Sequence, residues 1–210
     1  MPILQASGVT KYFGGLAAVS NVDLSVEKGE VYGLIGPNGA GKTTLFNLIA
    51  AAIEPKPGII KFKGINITGK KPYQVCRLGL GMTFQTVKIF ANMSVLENVL
   101  LGSFFGSPKH VALSEAKKRS EELLEFVGLS EAASTAAKDL TLSSQKRLEV
   151  ARAMAGNPDL LLLDEVMAGL TQTEVAEAMT LVNRIREQGI TIVMIEHVMK
   201  AIMNLCDRIL

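Results

Sequence analysis

The sequence is poor in the residues that disulfide scaffolds and zinc modules require. Its 210 residues include no tryptophan, only two cysteines, Cys76 and Cys206, and only two histidines. Two cysteines in a chain of this length do not make a disulfide framework, so a reducing compartment is the simpler interpretation.

Long apolar runs and an excess of one charge are also missing. No window approaches 18 continuous apolar residues, so we expect no membrane-spanning helix, and the N-terminus MPILQASGVT has no signal-peptide pattern. The formal net charge of +2 is too small to indicate a nucleic-acid or membrane-surface coat. Any membrane role is therefore expected to come through a partner.

What is present is the composition and pattern of a folded α/β protein. Hydrophobic residues make up 48% and charged residues 20% of the chain, which excludes a disordered or fibrous protein. Short apolar runs predict strands and longer periodic patterns predict helices, in alternation along the chain. The predicted strands are 31–35, 59–63, 160–163 and 191–195, and the predicted helices between them are 43–52 and 174–188. This alternation predicts a mostly parallel sheet covered by helices, with a hairpin edge at 59–63.

The middle of the chain differs from the rest. From about 87 to 155 no strong strand pattern is found, and helices are predicted over 114–127 and 143–155, so a helical insert is expected to interrupt the α/β core. We expect Ser114 to cap the first of these helices. The basic run at 117–119 is predicted to be one solvated helix face.

Residues 36–43, GPNGAGKT, fit the phosphate-binding pattern G-x-x-x-x-G-K-[ST] at every fixed position. They follow a predicted strand and open a predicted helix, where glycines let backbone N–H groups turn toward phosphate oxygens. Lys42 is predicted to reach the β- and γ-phosphates, and the Thr43 hydroxyl to ligate Mg²⁺. A second partial match at 64–71 lacks that hydroxyl and is followed by Pro72, so we predict a plain surface turn there.

Two acids follow the apolar strand 160–163. Asp164 is predicted to hold the Mg²⁺ shell, and Glu165 to orient or polarise the attacking water. Buried strands often end in a solvated acid, so this pattern is weak alone. It becomes strong because it follows a complete phosphate-binding loop.

With these two motifs the sequence resembles the ATPase subunits of ABC transporters over essentially its whole length. Further segments that carry the resemblance are KYFG at 11–14, TFQT at 83–86, RLEVARA at 147–153, AGL at 168–170 and EH at 196–197. The resemblance implies the P-loop NTPase fold of ABC ATPases: an α/β domain over 1–210 with a mostly parallel central sheet, an antiparallel β edge and a helical subdomain at about 87–155. Family members usually continue past Leu210, so the sequence is expected to be partial or to lack a C-terminal lobe.

The resemblance also assigns roles to single residues. Phe13 is expected to stack on adenine, Gln85 to touch Mg²⁺ and face the membrane subunits, and His197 to contact the γ-phosphate. The implied catalytic residues are Lys42, Gln85, Glu165 and His197, and the implied Mg²⁺ ligands are Thr43, Gln85 and Asp164. The implied ATP-binding residues are Phe13, Gly36, Pro37, Asn38, Gly39, Ala40, Gly41, Lys42, Thr43 and Thr44. Met199 and Met203, at helical spacing, are predicted to be core or packing residues.

The family's signature motif, Leu-Ser-Gly-Gly-Gln, is altered here to LTLSSQ at 140–145. Four residues of this segment are implied to face the ATP of an opposite subunit: Thr141, Ser143, Ser144 and Gln145. Thr141 keeps the hydroxyl of the motif, whereas Ser143 replaces a glycine and so restricts the backbone. Val166 and Thr171 replace the proline and the Asp or Asn that usually follow the acid pair. None of these changes removes a catalytic group, so an active ATPase is expected.

The function implied is an ATP-binding and ATP-hydrolysing subunit that powers an ABC transporter with ATP and Mg²⁺. Its implied partners are a second, identical or paralogous ATPase subunit in a head-to-tail dimer, transmembrane permease subunits and, indirectly, a solute-binding protein, but no nucleic acid. The implied location is the cytoplasmic face of the inner membrane. Segments 33–46, 83–85 and 93–99 look most like the branched-chain amino acid importer class, and segment 164–170 supports this. The resemblance therefore implies uptake of branched-chain amino acids or related solutes.

Three alternatives remain open from the sequence. A regulatory subunit that binds ATP and scarcely hydrolyses it is favoured only by the altered signature. A DNA-repair or chromosome ATPase usually carries long coiled coils or zinc modules, and this chain has neither a heptad array nor a cysteine cluster. A translation-type ABC ATPase would need two such domains in one chain.

Overall fold

A computed structural model of the chain describes residues 1–106 and 111–210. Two single 3₁₀ turns, Ser130–Ala132 and Ala137–Asp139, lie in the helical part. The strands and helices follow in this order: β1 (Leu4–Phe13), β2 (Leu16–Val26), β3 (Val31–Leu34), α1 (Lys42–Ile49), β4 (Ile59–Phe62), β5 (Ile65–Asn66), α2 (Pro72–Arg77), β6 (Leu80–Met82), α3 (Val95–Gly106), α4 (Leu113–Phe126), α5 (Leu142–Met154), β7 (Leu160–Asp164), α6 (Gln172–Glu187), β8 (Thr191–Ile195), α7 (Met199–Leu205) and β9 (Arg208–Ile209).

The strands form two sheets. Five strands pair in parallel in the order β6-β7-β8-β3-β9, and four pair antiparallel in the order β2-β1-β4-β5. The α/β prediction with a mostly parallel central sheet is confirmed, and the antiparallel strands form a separate sheet of their own.

The wholly apolar strand β7 is explained by burial on both faces. Leu161 and Leu163 pack into a core with the helices α3 to α6, whereas Leu160 and Leu162 pack into a second core between the two sheets. A strand covered on both faces reads as a continuous apolar run instead of an alternating one. The neighbouring strand β8 divides its residues between the same two cores.

Helix α1 lies between the two sheets and so fixes the loop that precedes it. Phe46 and Ile49 of α1 are fully buried and share a core with Leu4 of β1 and Leu34 of β3. The helix ends earlier than predicted, and Ala51 adopts a left-handed φ of +57°. Burial of large side chains of this kind contributes about 1.5–3 kcal/mol each, which anchors the amino end of α1 beside β3.

In chain order, helices α3, α4 and α5 come between β6 and β7, two strands that pair directly in the sheet. The buried Asn98 of α3 holds the segment before it: its Oδ1 accepts from the Phe90 N–H at 2.8 Å, and its Nδ2 donates to the Phe90 and Ser94 carbonyls at 3.1 and 2.9 Å. A buried amide is stable when its donors and acceptor are paired in this way. In the described ranges, no helix has the length and apolarity that a bilayer crossing requires.

Two predictions about helix surfaces are wrong. Helix α4 begins at Leu113 with Ala112 at its N-cap, so Ser114 lies inside the first turn and does not cap it. Met199 and Met203 of α7 are 56% and 69% exposed, because the helix turns its other face to the core. The buried residues of α7 are Ala201, Ile202 and Leu205.

The basic run of α4 is only partly solvated. Lys117 and Lys118 are exposed and lie near acids one turn further along the helix. Arg119 is half-buried, donates to the Met154 carbonyl at 3.4 Å, and contacts the Asn157 side chain. Its long side chain therefore joins α4 to the end of α5, which contradicts the prediction of a single solvated face.

Candidate functional site

The carboxyl ends of four neighbouring parallel strands lie along one edge of the five-stranded sheet. β3 leads into residues 36–43, β6 into 83–86, β7 ends at Asp164, and β8 leads to His197. In the register of the sheet, Asp164 lies beside the last residue of β8. Ligands of open α/β sheets bind outside these strand ends, so the topology brings the predicted site residues to one place.

The phosphate-binding loop has the backbone that its glycines allow. Gly39 and Gly41 have φ of +83° and +87°, in the left-handed region that favours glycine. Lys42, the first residue of α1, donates to the carbonyls of Gly36 and Pro37 at 2.7 and 2.9 Å. Within the described structure no side chain caps the start of α1, which leaves its first-turn N–H groups suited to an anion.

A cleft of about 440 Å³ lies between this loop and β2. Its lining includes Ala18 and Val19 of β2 and Gly41 and Lys42 of the loop. Phe13 lies at the tip of the β1–β2 hairpin, 52% exposed, with the Lys11 ammonium 5.7 Å from its ring centroid. The ring is therefore exposed at the end of β1, the strand next to the β2 wall of the cleft, although it does not itself line the cleft.

Replacing Gly41 with alanine is expected to destabilise the loop more than the same change at Gly39. Both residues have left-handed φ, but a Cβ at Gly41 would lie 2.1 Å from the Ala18 carbonyl oxygen, whereas one at Gly39 would meet nothing within 4 Å. We expect the Gly41→Ala variant to lose roughly 2 kcal/mol more unfolding free energy than Gly39→Ala, measured by urea denaturation. Equal losses would show that the close approach to β2 does not require glycine.

The side chain of Asp164 is almost fully buried. The backbone N–H of Asp164 donates to Thr83 Oγ1 at 3.1 Å, but its Oδ1 has no hydrogen-bond partner among the described residues. Burial, followed by the charge of Glu165, raises the pKa of Asp164 to about 6, and the charge of Lys42 opposes this shift. A buried oxygen without a partner is costly, and oxygen is the ligand that Mg²⁺ prefers, so this carboxylate fits the predicted metal shell.

The Glu165 carboxylate joins two other predicted catalytic residues. Gln85 Nε2 donates to its Oε2 at 3.1 Å, and His197 Nε2 lies 2.9 Å from its Oε1. The Glu165 side chain is 12% exposed. The structure thus gathers Gln85, Glu165 and His197 into one cluster, next to the buried Asp164.

The altered signature segment forms the start of α5. Thr141 is the N-cap: its Oγ1 accepts from the Ser144 N–H at 3.3 Å and hydrogen-bonds the Ser144 hydroxyl at 3.1 Å. Ser143 is 5% exposed, where a small side chain fits, and Gln145 Nε2 donates to the Leu140 carbonyl at 3.0 Å. In the described part of the chain, no hydrogen bond joins these side chains to the phosphate-binding loop or to Glu165.

The substituted residue Thr171 has a local structural role. It is the N-cap of α6, and its Oγ1 accepts from the Glu174 N–H at 3.4 Å while the Glu174 carboxylate accepts from the Thr171 N–H at 2.9 Å. This reciprocal capping box fixes the start of α6 at Gln172, the residue after Thr171. Thr171 therefore caps the helix, as an Asp or Asn at this position would also do.

Two charged residues of α5 escaped the sequence analysis. Lys146 is 8% exposed and Glu149 is 2% exposed, and they lie three positions apart on the buried face of the helix. The Glu149 carboxylate accepts from the Lys88 and Phe84 N–H groups at 2.9 and 3.3 Å and lies 3.7 Å from Arg152. Burial raises the pKa of Glu149, while those N–H groups and Arg152 oppose the shift. In the sequence, the position of these two charged residues on the apolar side of the predicted helix is the signal that could have indicated their burial.

Replacing Glu149 with alanine is expected to lower the unfolding free energy by roughly 3 kcal/mol, because it leaves Arg152 and two loop N–H groups without their buried acceptor. Glu177→Ala is the matched control, since Glu177 is more than half exposed and lies 3.9 Å from Arg147. It should cost no more than about 0.5 kcal/mol. Denaturant unfolding compares the two, and similar losses would contradict the role of Glu149.

Comparison with known proteins identifies relatives over the whole chain. The ABC transporter family profile matches residues 19–168. The branched-chain amino acid transport ATP-binding protein LivG of Escherichia coli K12 is 41% identical, over 99% of this chain and 87% of that protein. The corresponding protein BraF of Pseudomonas aeruginosa is 39% identical with the same coverage.

Solved structures agree with the sequence match. An ATP-binding cassette of an ABC transporter in its ADP conformation has a TM-score of 0.89 and 33% identity, over 99% of this chain and 85% of that chain. A dimeric cassette in a post-hydrolysis state, bound to ADP and Pi, has a TM-score of 0.86 and 28% identity, over 94% of this chain and 89% of that one. Because the family profile covers most of the chain and the relatives match nearly all of it, the chain belongs to the ABC transporter family.

Proposed function

We propose that this chain is the ATP-binding and ATP-hydrolysing subunit of an ABC importer for branched-chain amino acids or related solutes. The observation that carries the ATPase role is the cluster in which the Glu165 carboxylate meets Gln85 and His197, at the strand ends beside the phosphate-binding loop. The similarity to LivG and BraF supports the substrate class. A carboxylate held at such an edge suits a group that orients or deprotonates an attacking water.

Residues 36–44 are proposed to bind the phosphates of ATP, with Lys42 reaching the β- and γ-phosphates and Phe13 stacking on adenine. The residues that would hold Mg²⁺ are Thr43, Gln85 and Asp164, and the metal would supply charge neutralisation at the phosphate oxygens. Glu165 is proposed to position the water, and His197, whose Nε2 lies 2.9 Å from Glu165 Oε1, is proposed to contact the terminal phosphate. The unpartnered Asp164 Oδ1 supports this assignment of the metal.

The active unit is proposed to be a head-to-tail dimer with an identical or paralogous ATPase subunit. In it Thr141, Ser143, Ser144 and Gln145 face the ATP bound by the other subunit. These residues make no hydrogen bond to the site of their own chain among the described contacts, as a segment serving a partner would require. The similarity to a dimeric cassette bound to ADP and Pi supports the arrangement.

Transmembrane permease subunits are proposed to dock in a mainly apolar groove of about 960 Å³. The groove lies between α2, α3 and the segment after β6, and Tyr73, Phe84 and Phe105 are among its lining residues. Phe84 precedes Gln85, so a helix seated there would touch the segment that carries a catalytic residue. We place the chain, as one ATPase domain over 1–210 with a helical subdomain at about 87–155, on the cytoplasmic face of the inner membrane, with a solute-binding protein acting indirectly.

The proposal is tested by transport in membrane vesicles that contain this chain with its permease subunits. We expect ATP-dependent uptake of leucine in the parent complex and none in the Lys42→Ala complex. Leucine uptake that is equal in both would contradict the proposed energy source. Uptake of another solute in place of leucine would contradict the proposed substrate class and leave the ATPase role standing.

A second candidate is a regulatory subunit that binds ATP tightly and hydrolyses it little. The glycine-free segment 140–145 is the observation that favours it. Tight ATP binding without turnover, in the complete complex with its partner subunits, would select this candidate over the first.

A further inference from the structure

The ammonium of Lys146 hydrogen-bonds the turn that carries Glu165. Lys146 is on the second turn of α5, is 8% exposed, and donates to the Glu165 carbonyl at 2.8 Å and to the Ala168 carbonyl at 2.7 Å. A charged donor with two carbonyl acceptors makes strong hydrogen bonds, particularly where water has little access.

The turn that Lys146 holds is strained. Glu165 has a φ of +51°, in the left-handed region, which costs a residue with a side chain about 1–2 kcal/mol. The Ala168 N–H closes the turn by donating to the Glu165 carbonyl at 3.2 Å. A residue in this conformation persists only where its surroundings hold it, and Lys146 bonds to both ends of the turn.

The backbone of Glu165 sets where its carboxylate points, and that carboxylate meets Gln85 and His197. The buried Glu196 side chain also holds this turn, because its carboxylate accepts from the Met167 N–H at 2.8 Å. Burial lowers the pKa of Lys146, and the nearby charges of Glu196, Glu149 and Glu165 partly oppose that shift.

We propose that Lys146 is a positioning residue for ATP hydrolysis, which fixes the left-handed turn at Glu165 and thereby aims the Glu165 carboxylate. The inference rests on the proposed function, since it assigns Lys146 to the hydrolysis that Glu165 serves. It also gives α5 two roles: its first turn carries residues of the segment proposed to face the partner's ATP, and its second turn holds the group that acts on the chain's own ATP.

Three variants of the full chain test the inference: Lys146→Met, Lys146→Arg and the control Lys118→Met. Methionine keeps the buried length of the side chain and removes its donors, arginine keeps donors, and Lys118 has a side chain that is 79% exposed. We expect Lys146→Met to lower kcat at least tenfold with the ATP KM and Kd changed less than twofold. Lys146→Arg should return kcat to within threefold of the parent, and Lys118→Met should match the parent.

A readout that needs no turnover separates this inference from the proposed function. Hydrogen exchange of the amides at 165–170 should speed up in Lys146→Met and stay near the parent rate in Lys146→Arg. A kcat within twofold of the parent in Lys146→Met, a matching loss of ATP binding, or unchanged exchange at 165–170 would each overturn the role of Lys146. A parent without turnover would contradict the proposed function, and the exchange rates would still decide whether Lys146 holds the turn.

Discussion

Replacing Glu165 with glutamine is expected to lower ATP turnover by the chain at least 100-fold and to leave ATP bound. Glutamine keeps the size of the side chain and an oxygen that accepts from Gln85, but it cannot take a proton from water. The contacts that assemble the cluster are therefore largely kept while the chemistry is lost. Phosphate release measures the turnover, and size-exclusion chromatography with ATP should show a dimer that the parent does not accumulate.

The control for this prediction is Glu187→Gln, an exposed acid at the end of α6. It should turn over ATP at the parent rate. Residual turnover in Glu165→Gln above about a tenth of the parent rate would exclude Glu165 as the group that activates water. A turnover loss accompanied by lost ATP binding would show that Glu165 serves binding instead.

Replacing Lys42 with alanine is expected to weaken ATP binding at least 100-fold, a change of about 2.7 kcal/mol in binding free energy. The ammonium lies at the loop carbonyls of Gly36 and Pro37, at the start of α1, where its charge faces the proposed phosphate site. Charge-assisted bonds to phosphate oxygens are among the strong hydrogen bonds of proteins, so losing them has a large effect. Titration calorimetry with ATP measures the change directly.

The second glycine-rich match supplies the control, because Lys70 stands there at the position that Lys42 has in the first. Lys70→Ala should bind ATP as the parent does, since residues 64–71 contain only the second strand of the β4–β5 hairpin and the turn after it. Equal affinities of the Lys42→Ala variant and the parent would refute the assignment of the loop. An equal loss of ATP affinity in Lys70→Ala would refute the choice of residues 36–43 over residues 64–71 as the phosphate-binding loop.

The parts of the site that sequence reasoning predicted are those whose chemistry is local. Residues 36–43 must turn tightly between a strand and a helix, and only a few residue types at fixed positions permit that turn. The strand before Asp164 was recognisable because burial on both faces leaves an unbroken apolar run. The assignment of Gln85 and His197 to the site followed from family resemblance, since no local pattern in the chain indicates it.

The parts that escaped prediction depend on contacts between distant segments. Strand β6 has only three residues and is defined by pairing with β7, 80 residues later. Lys146 and Glu149 lie on a helix whose sequence is amphipathic only in part, and a charged residue there is ordinarily solvated. Their burial becomes clear only when the carbonyls at 165–168 and the N–H groups at 84–88 are placed against them.

The same reasoning explains the error at α7. Met199 and Met203 share one helix face, and helical spacing of apolar residues usually marks the buried side. In this helix Ala201, Ile202 and Leu205 take that side. The pattern contained two apolar faces, and the elements that pack against α7, among them α6, decide which one is covered.

Of the two proposed partners, an identical copy is the one that we expect to complete the ATP sites with this chain, despite the glycine-free segment 140–145. The most direct test is the steady-state ATPase rate of the purified chain as a function of its concentration, with Lys42→Ala as the control. We predict a rate that rises more steeply than linearly and is absent in the variant. A rate strictly proportional to concentration, or none alongside tight ATP binding, would contradict the claim that two identical copies make the active unit.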